Sequence, residues 1–198
     1  MSRYVPPHLR GKVSANVVQP ARKNIVFVGL DQWVMTDINE CGTNVGLFTG
    51  GLSGCVAIAL IGETKACLAH LYSRCNVDNW VEYAHQLDLA LVWMRRNGGS
   101  VISCNLYAAE PELKSESWRC NTISEYVVHN CPNVDEVRVS KSTKVLLTYR
   151  EGMFSGWGAD IYKSAIDIRN TDTCYNTVTG RPYFTVYGML SGSGAPSG

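Results

Sequence analysis

Short apolar runs rich in β-branched and aromatic residues recur along most of the chain, separated by polar or glycine-rich segments. The strings NIVFVGL, VAIALI, KACLAHL, SVISCNLYA, KVLLTYR and RPYFTVYGML are typical of strands. Apolar positions at helical spacing predict one helix within residues 76–99 and a second within 115–131. The glycine-dense segments GTNVGLFTGGLSGC (42–55) and MFSGWGAD (153–160) are expected to be loops.

Many strands and two helices, with no regular strand–helix alternation, predict a mixed α/β fold: a β-sandwich of mixed sheets flanked by helices. Residues 1–22 contain three prolines and no sustained period, which predicts a flexible amino-terminal tail. We expect one domain over residues 23–190. Residues 191–198, SGSGAPSG, are expected to form a second flexible tail.

Composition narrows the function classes. The 198 residues are 45% hydrophobic and 18% charged, which is enough apolar material for a core. A net charge of +1 argues against a nucleic-acid partner. No apolar run approaches the roughly 20 residues of a membrane span, and the start has no apolar leader. We therefore expect a cytoplasmic protein that does not enter membranes.

The chain has 8 cysteines, and no two of them show the CxxC spacing of structural zinc or redox sites. The sequence accordingly predicts no metal site and no cofactor. Most of the cysteines lie in apolar strings, where a thiol is usually a small buried hydrophobic group. Cys55 differs because it follows the glycine-rich segment and begins a predicted strand.

The hairpin VAIALI-GE-TKACLAHL suggests a partner for Cys55. If Gly62-Glu63 form a two-residue type II′ turn, Cys55 lies directly opposite His70 on the same face of the sheet. A thiol beside an imidazole is the arrangement of a cysteine nucleophile with its base. A three-residue loop would put the two residues on opposite faces, so the inference depends on loop parity. A core histidine and a cysteine that fills the strand start fit the same pattern.

TGGLSGC followed by CLAHL resembles the catalytic segment of bacterial protein-glutamine deamidases. That superfamily includes the cytotoxic necrotizing factor catalytic domain, Burkholderia lethal factor and the chemoreceptor deamidases. The resemblance covers about 22 residues, from Thr49 to His70. It implies a β-sandwich flanked by helices, Cys55 as nucleophile, His70 as general base and then acid, and Thr49 as the residue that orients His70. A loop threonine that satisfies local backbone is the alternative for Thr49.

The residues before Cys55 have expected roles of their own. Backbone N–H groups around Gly54 and Cys55 are candidates for an oxyanion hole. Ser53 fits a turn residue better than a second nucleophile. The implied reaction is hydrolysis of a glutamine side-chain amide in a target protein, with a translation-initiation helicase or a small GTPase as candidate substrates.

YVPPHLR, residues 4–10, resembles a motif of DEAD-box translation helicases that is implicated in docking to the cap-binding initiation factor. Pro6-Pro7 favour an extended or helix-initiating segment, with Tyr4 and Leu9 as apolar anchors. The combination suggests a toxin-like inhibitor of translation. Two alternatives remain open: a cysteine amidase or peptidase with another substrate class, and a non-enzymatic adaptor that binds a translation factor.

Overall fold

The computed structural model describes residues 24–110, 117–157, 165–168, 175–176, 179–192 and 196–197. The strands are β1 (Asn24–Phe27), β2 (Gln32–Asp37), β3 (Val45–Gly50), β4 (Val56–Ile61), β5 (Lys65–Leu71), β6 (Ser103–Ala108), β7 (Val137–Lys141), β8 (Lys144–Arg150), β9 (Met153–Trp157), β10 (Ile166–Asp167) and β11 (Val186–Met189). The helices are α1 (Ile38–Cys41), α2 (Trp80–Arg95) and α3 (Trp118–Asn130), and a 3₁₀ turn (Arg96–Gly98) follows α2.

The described strands form two mixed sheets. The five-stranded sheet has the order β10-β1-β3-β8-β9, with β1 parallel to both β10 and β3. The six-stranded sheet has the order β11-β2-β5-β4-β6-β7, with β6 and β7 parallel and its other pairs antiparallel. The expected mixed α/β fold, rich in sheet and with few helices, is confirmed.

The six-stranded sheet is buried on both faces along β2, β4 and β5. On β4, Ala57 and Ala59 contribute to a core shared with the five-stranded sheet, together with Val26, Leu47, Val145 and Leu147. Ile58 and Leu60, on the other face, pack into a second core with residues of α2 and α3. The period of two along the strand therefore assigns alternate residues to different cores.

None of the helices in the described ranges has the length and apolar character that a membrane-spanning helix needs.

The expectation that both glycine-dense segments are loops is wrong, because β3 lies within one and β9 within the other. The glycines allow close packing between strands. A Cβ at Gly46 would lie 2.6 Å from Ile25 Cδ1 and 2.8 Å from Thr148 Cγ2. A Cβ at Gly156 would lie 2.7 Å from the Tyr107 hydroxyl oxygen. These residues are glycine because neighbouring side chains fill the space, which is a recognised use of glycine in strands.

The β4–β5 hairpin is confirmed, but its predicted register is wrong by two residues. Ile61 pairs with Ala66, and the Gly62 N–H donates to the Lys65 carbonyl oxygen at 2.8 Å. Gly62 does not have the positive φ that the expected turn requires. A Cβ added at Gly62 would lie 2.5 Å from the Ser100 carbonyl oxygen, so the close approach of a neighbouring segment explains the glycine here. A shift by two leaves every side chain on its predicted face.

Replacing Gly62 by Ala tests this explanation. We expect the free energy of unfolding to fall by about 1–3 kcal/mol, because the backbone of the 100–102 segment has to move away from the new methyl group. Urea denaturation measures the change. Gly192→Ala is the control, since its Cβ meets nothing closer than 3.6 Å, and it should change stability by less than about 0.5 kcal/mol. Equal effects of the two substitutions would contradict the close-approach explanation.

Candidate active site

A buried hydrogen bond joins the two sheets between Thr49 and His70. Thr49 lies on β3 of the five-stranded sheet and His70 on β5 of the six-stranded sheet. Thr49 Oγ1 is 2.8 Å from His70 Nδ1 and donates to the Val28 carbonyl oxygen, also at 2.8 Å. A hydroxyl has one proton, and the carbonyl takes it, so Thr49 must accept its second hydrogen bond from an Nδ1–H of His70. The side chain of Thr49 is therefore the group that orients the imidazole.

This arrangement fixes the protonation pattern of the His70 ring. With the proton on Nδ1, the neutral ring carries its basic lone pair on Nε2. His70 is 4% exposed, and Nε2 is buried without a hydrogen-bond partner. Burial lowers the pKa of His70 below its ordinary value, and the negative charge of Asp31 opposes part of that shift. At neutral pH His70 is therefore an uncharged imidazole, and the lone pair on its Nε2 accepts no hydrogen bond.

Cys55 lies immediately before β4 and joins the core between the sheets, as do Leu52 and Ala57. Because His70 opposes Ala57, the prediction that Cys55 lies directly opposite His70 is wrong. Cys55 is instead the diagonal neighbour of His70 on the same face. Diagonal residues on adjacent strands are roughly 7–8 Å apart, a separation that long side chains span more readily than a cysteine does. The thiol makes no hydrogen bond to Nε2 in this structure.

Cys55 also borders a surface pocket, although its side chain is only 6% exposed. This pocket is one of several in the described part of the chain, and its volume is about 480 Å³. A volume of this size is in the range of ordinary ligand sites. Its other lining residues are Ser53, Gly54, Val56, Ala108, Ala109, Glu110, Ser117, Arg119 and Cys120.

The turn before β4 sets the position of the thiol. The Cys55 N–H donates to the Leu52 carbonyl oxygen at 3.2 Å, and the Leu52 N–H donates to Thr143 at 3.1 Å. Gly54 has φ of 81°, a left-handed conformation that glycine adopts without strain. Ser53 lies on the pocket wall, as a turn residue. The Cys55 N–H is already engaged in the turn, so an oxyanion hole formed by Gly54 stays a prediction.

Burial also controls the ionisation of the thiol. It raises the pKa of Cys55 above its ordinary value, and the negative charge of Asp31 adds a small increase. A backbone hydrogen bond with Ser73 and the positive charge of Arg119 lower it in part. The net shift favours the protonated thiol at neutral pH. A reaction at Cys55 as a nucleophile would therefore require a base.

Asp31 is a contributor that the sequence did not reveal. Its N–H donates to the His70 carbonyl oxygen at 2.8 Å, and its Oδ1 accepts the Tyr72 N–H at 3.0 Å. Its Oδ2 accepts the Tyr83 hydroxyl at 3.3 Å. Asp31 has φ of 55°, a conformation that aspartate tolerates better than most residues. It thus continues the β2–β5 pairing at the residue before β2 begins and anchors the backbone on both sides of Leu71.

The remaining sequence predictions have different outcomes. Seven cysteines are described, all of them unpaired and buried; Cys174 lies outside the described residues. No group of three His, Cys, Asp or Glu side chains in the described ranges is placed to hold a metal ion. Tyr4 and Leu9 lie outside the described residues.

In comparisons with known proteins, no family model and no curated sequence matched this chain.

Thr49→Val tests the hydrogen bond between the sheets. The substitution leaves the Val28 carbonyl and the His70 Nδ1–H buried without their partner, so we expect a loss of about 1–3 kcal/mol in unfolding free energy. Thr49→Ser keeps the hydroxyl and should retain the Nδ1–H ring form, which ¹⁵N NMR of the imidazole detects. The Val variant should show a mixture of ring forms. Native-like stability and an unchanged spectrum in Thr49→Val would contradict this arrangement.

Proposed function

We propose that this protein is a cysteine-dependent hydrolase that deamidates a glutamine side chain in a target protein. The observation that carries the proposal is the Thr49–His70 hydrogen bond, which leaves the lone pair of Nε2 free on the face that Cys55 shares. Thr49, Cys55 and His70 are the residues that the resemblance to protein-glutamine deamidases singles out. The geometry supports nucleophilic chemistry, and the resemblance supports a glutamine carboxamide as the substrate.

The reaction begins with transfer of the Cys55 thiol proton to His70 Nε2. The sulfur attacks the carboxamide carbon and forms a tetrahedral intermediate, and the His70 imidazolium then protonates the amine so that ammonia leaves. A water molecule, deprotonated by Nε2, attacks the resulting thioester. Glutamate forms and the proton returns to the thiol. Throughout, Thr49 keeps the Nδ1 proton in place, so that proton transfer occurs only at Nε2.

The pocket supports a reaction on an exposed side chain. Cys55 lies in its wall beside Ser53, Glu110, Ser117 and Arg119, so a carboxamide that enters it meets polar groups next to the thiol. A small-molecule amide would use the same pocket, which keeps a cysteine amidase as the second enzymatic candidate. The two differ in whether glutamine is hydrolysed only within a folded protein.

The proposed target is a component of translation initiation or a small GTPase, with docking to a cap-binding factor through residues 4–10. This part of the proposal rests on the two sequence resemblances. Its docking residues, Tyr4 and Leu9, lie outside the described ranges. Docking without hydrolysis defines the adaptor alternative.

Cys55→Ser tests the proposal most directly. Incubation with candidate initiation helicases and small GTPases should release ammonia and convert one glutamine to glutamate, located by peptide mapping. The variant should lose at least about a thousandfold in rate, since serine is a poor replacement for a thiol nucleophile. Cys41→Ser is the matched control, because Cys41 is also 6% exposed.

Three outcomes of this experiment distinguish the proposed deamidase from the amidase and adaptor alternatives. Deamidation by the Cys55→Ser variant at the native rate would contradict the proposal. Hydrolysis of free glutamine or other small amides, with no modified protein, would support the amidase alternative. A block of translation that survives the substitution would support the adaptor.

The pH dependence of the deamidation rate tests the mechanism. His70 must be neutral to accept the thiol proton, so activity should fall in acid with a midpoint below the ordinary 6.5. Asp31→Asn removes the charge that raises the pKa of His70 and should move this midpoint lower still. No loss should occur between about pH 7 and 9, because the raised pKa of Cys55 excludes a preformed thiolate–imidazolium pair. A decline in that interval would indicate such a pair.

A further inference from the structure

The amino-terminal turn of α3 faces the same pocket as Cys55. Ser117 is its N-cap and accepts a hydrogen bond from the Cys120 N–H at 3.5 Å. Ser117, Arg119 and Cys120 line the pocket together with Cys55. A helix amino terminus carries partial positive charge, and Arg119 adds a full positive charge at the same place. The start of α3 therefore brings positive charge to the pocket.

Arg119 is held in this position by the segment after β5. Its Nη1 donates to the Ser73 carbonyl oxygen at 2.6 Å, a short bond that the charge of the guanidinium strengthens. The backbone of Ser73 in turn lowers the pKa of the Cys55 thiol. Ser73 is also close to the turn before β4, since a Cβ at Gly54 would lie 3.7 Å from Ser73 Cβ. Arg119 thus holds the backbone of Ser73 and brings a positive charge to the pocket that Cys55 lines.

The other charged groups around the sulfur do not provide this charge. Asp31, from the β1–β2 turn, is negative, and Glu110, after β6, lies on the pocket wall with the same sign. His70 on β5 is neutral in the resting state because burial lowers its pKa. Among the charged groups that act on Cys55, Arg119 is the one whose positive charge favours the anionic sulfur.

We propose that Arg119 is a positioning residue that stabilises the thiolate of Cys55 and holds Ser73 against it. The proposal rests on Cys55 being the nucleophile of the proposed function. In the reaction, the proton leaves Sγ for His70 Nε2, and negative charge appears on sulfur next to the guanidinium. A nearby positive charge lowers the free energy of that anion relative to the thiol.

Arg95 offers a matched control in the same molecule. Its guanidinium also donates to a backbone carbonyl, that of Asn130, and so joins α2 to the end of α3. The residues that line the Cys55 pocket do not include Arg95. Arg95→Gln therefore removes the same charge and the same kind of bond at a distance from the site.

The experiment measures the rate at which iodoacetamide alkylates Cys55 in the full chain, followed by peptide mapping across pH 6–10. This reaction reports the thiolate and needs no protein substrate. Near neutral pH, Arg119→Gln should slow alkylation of Cys55 roughly three- to tenfold, because one pKa unit corresponds to a tenfold change in thiolate fraction. Arg95→Gln should leave the rate within about twofold of the native value. Arg119→Lys keeps the charge and should retain most of the rate.

Fully buried Cys67 monitors the fold, since it becomes reactive only if the core opens. A native rate in Arg119→Gln, or an unreactive Cys55 in the unaltered protein, would overturn the proposal. If Arg119→Gln does not fold, Arg119→Lys is compared with the uncharged Arg119→Met. Equal rates of Cys55 alkylation in these two variants would then overturn the proposal. Absence of deamidation with the expected alkylation pattern would contradict the proposed function and leave the role of Arg119 intact.

Discussion

The hydroxyl of Thr49 lies between a carbonyl at the end of β1 and an imidazole on the opposite sheet, in a position with no solvent exposure. Each of the three groups would be left with an unmet hydrogen bond in the interior if the sheets shifted, which is costly away from water. The packing of the sandwich and the orientation of His70 are therefore coupled. Because Nδ1 donates its proton to Thr49, Nε2 is the ring nitrogen of His70 that can accept a proton.

Burial favours the neutral forms of both Cys55 and His70. It raises the pKa of Cys55 and lowers that of His70, so both groups rest in their neutral forms. An uncharged pair fits more easily between two apolar sheets than a thiolate–imidazolium pair, whose desolvation is expensive. In the proposed reaction these charges have to form as the proton is transferred, and the charged groups around the pocket determine how readily they do so.

The parts of the site that the sequence predicted belong to one hairpin. Cys55 and His70 lie on adjacent strands, so local pattern and loop parity sufficed to place them on one face, even though the register was wrong by two. The glycine-rich segment containing Thr49 is predicted to be a loop because glycine favours turns in isolation. In the fold it contains β3, and Gly46 fits there because Ile25 and Thr148, on neighbouring strands, fill the space beside it, which no single segment of sequence reveals.

The charges around the site come from distant parts of the chain. Asp31 reaches the backbone of Tyr72 across 41 residues, and Arg119 reaches Ser73 across 46. Both make contacts with backbone groups, so nothing in the identity of their partners marks them in the sequence. The same hairpin in a sandwich without these two residues would keep Cys55 and His70 but lose the charges that shift their pKa values. Reactivity at Cys55 is thus a property of the assembled fold, in which the turn before β2 and the start of α3 meet at the end of β5.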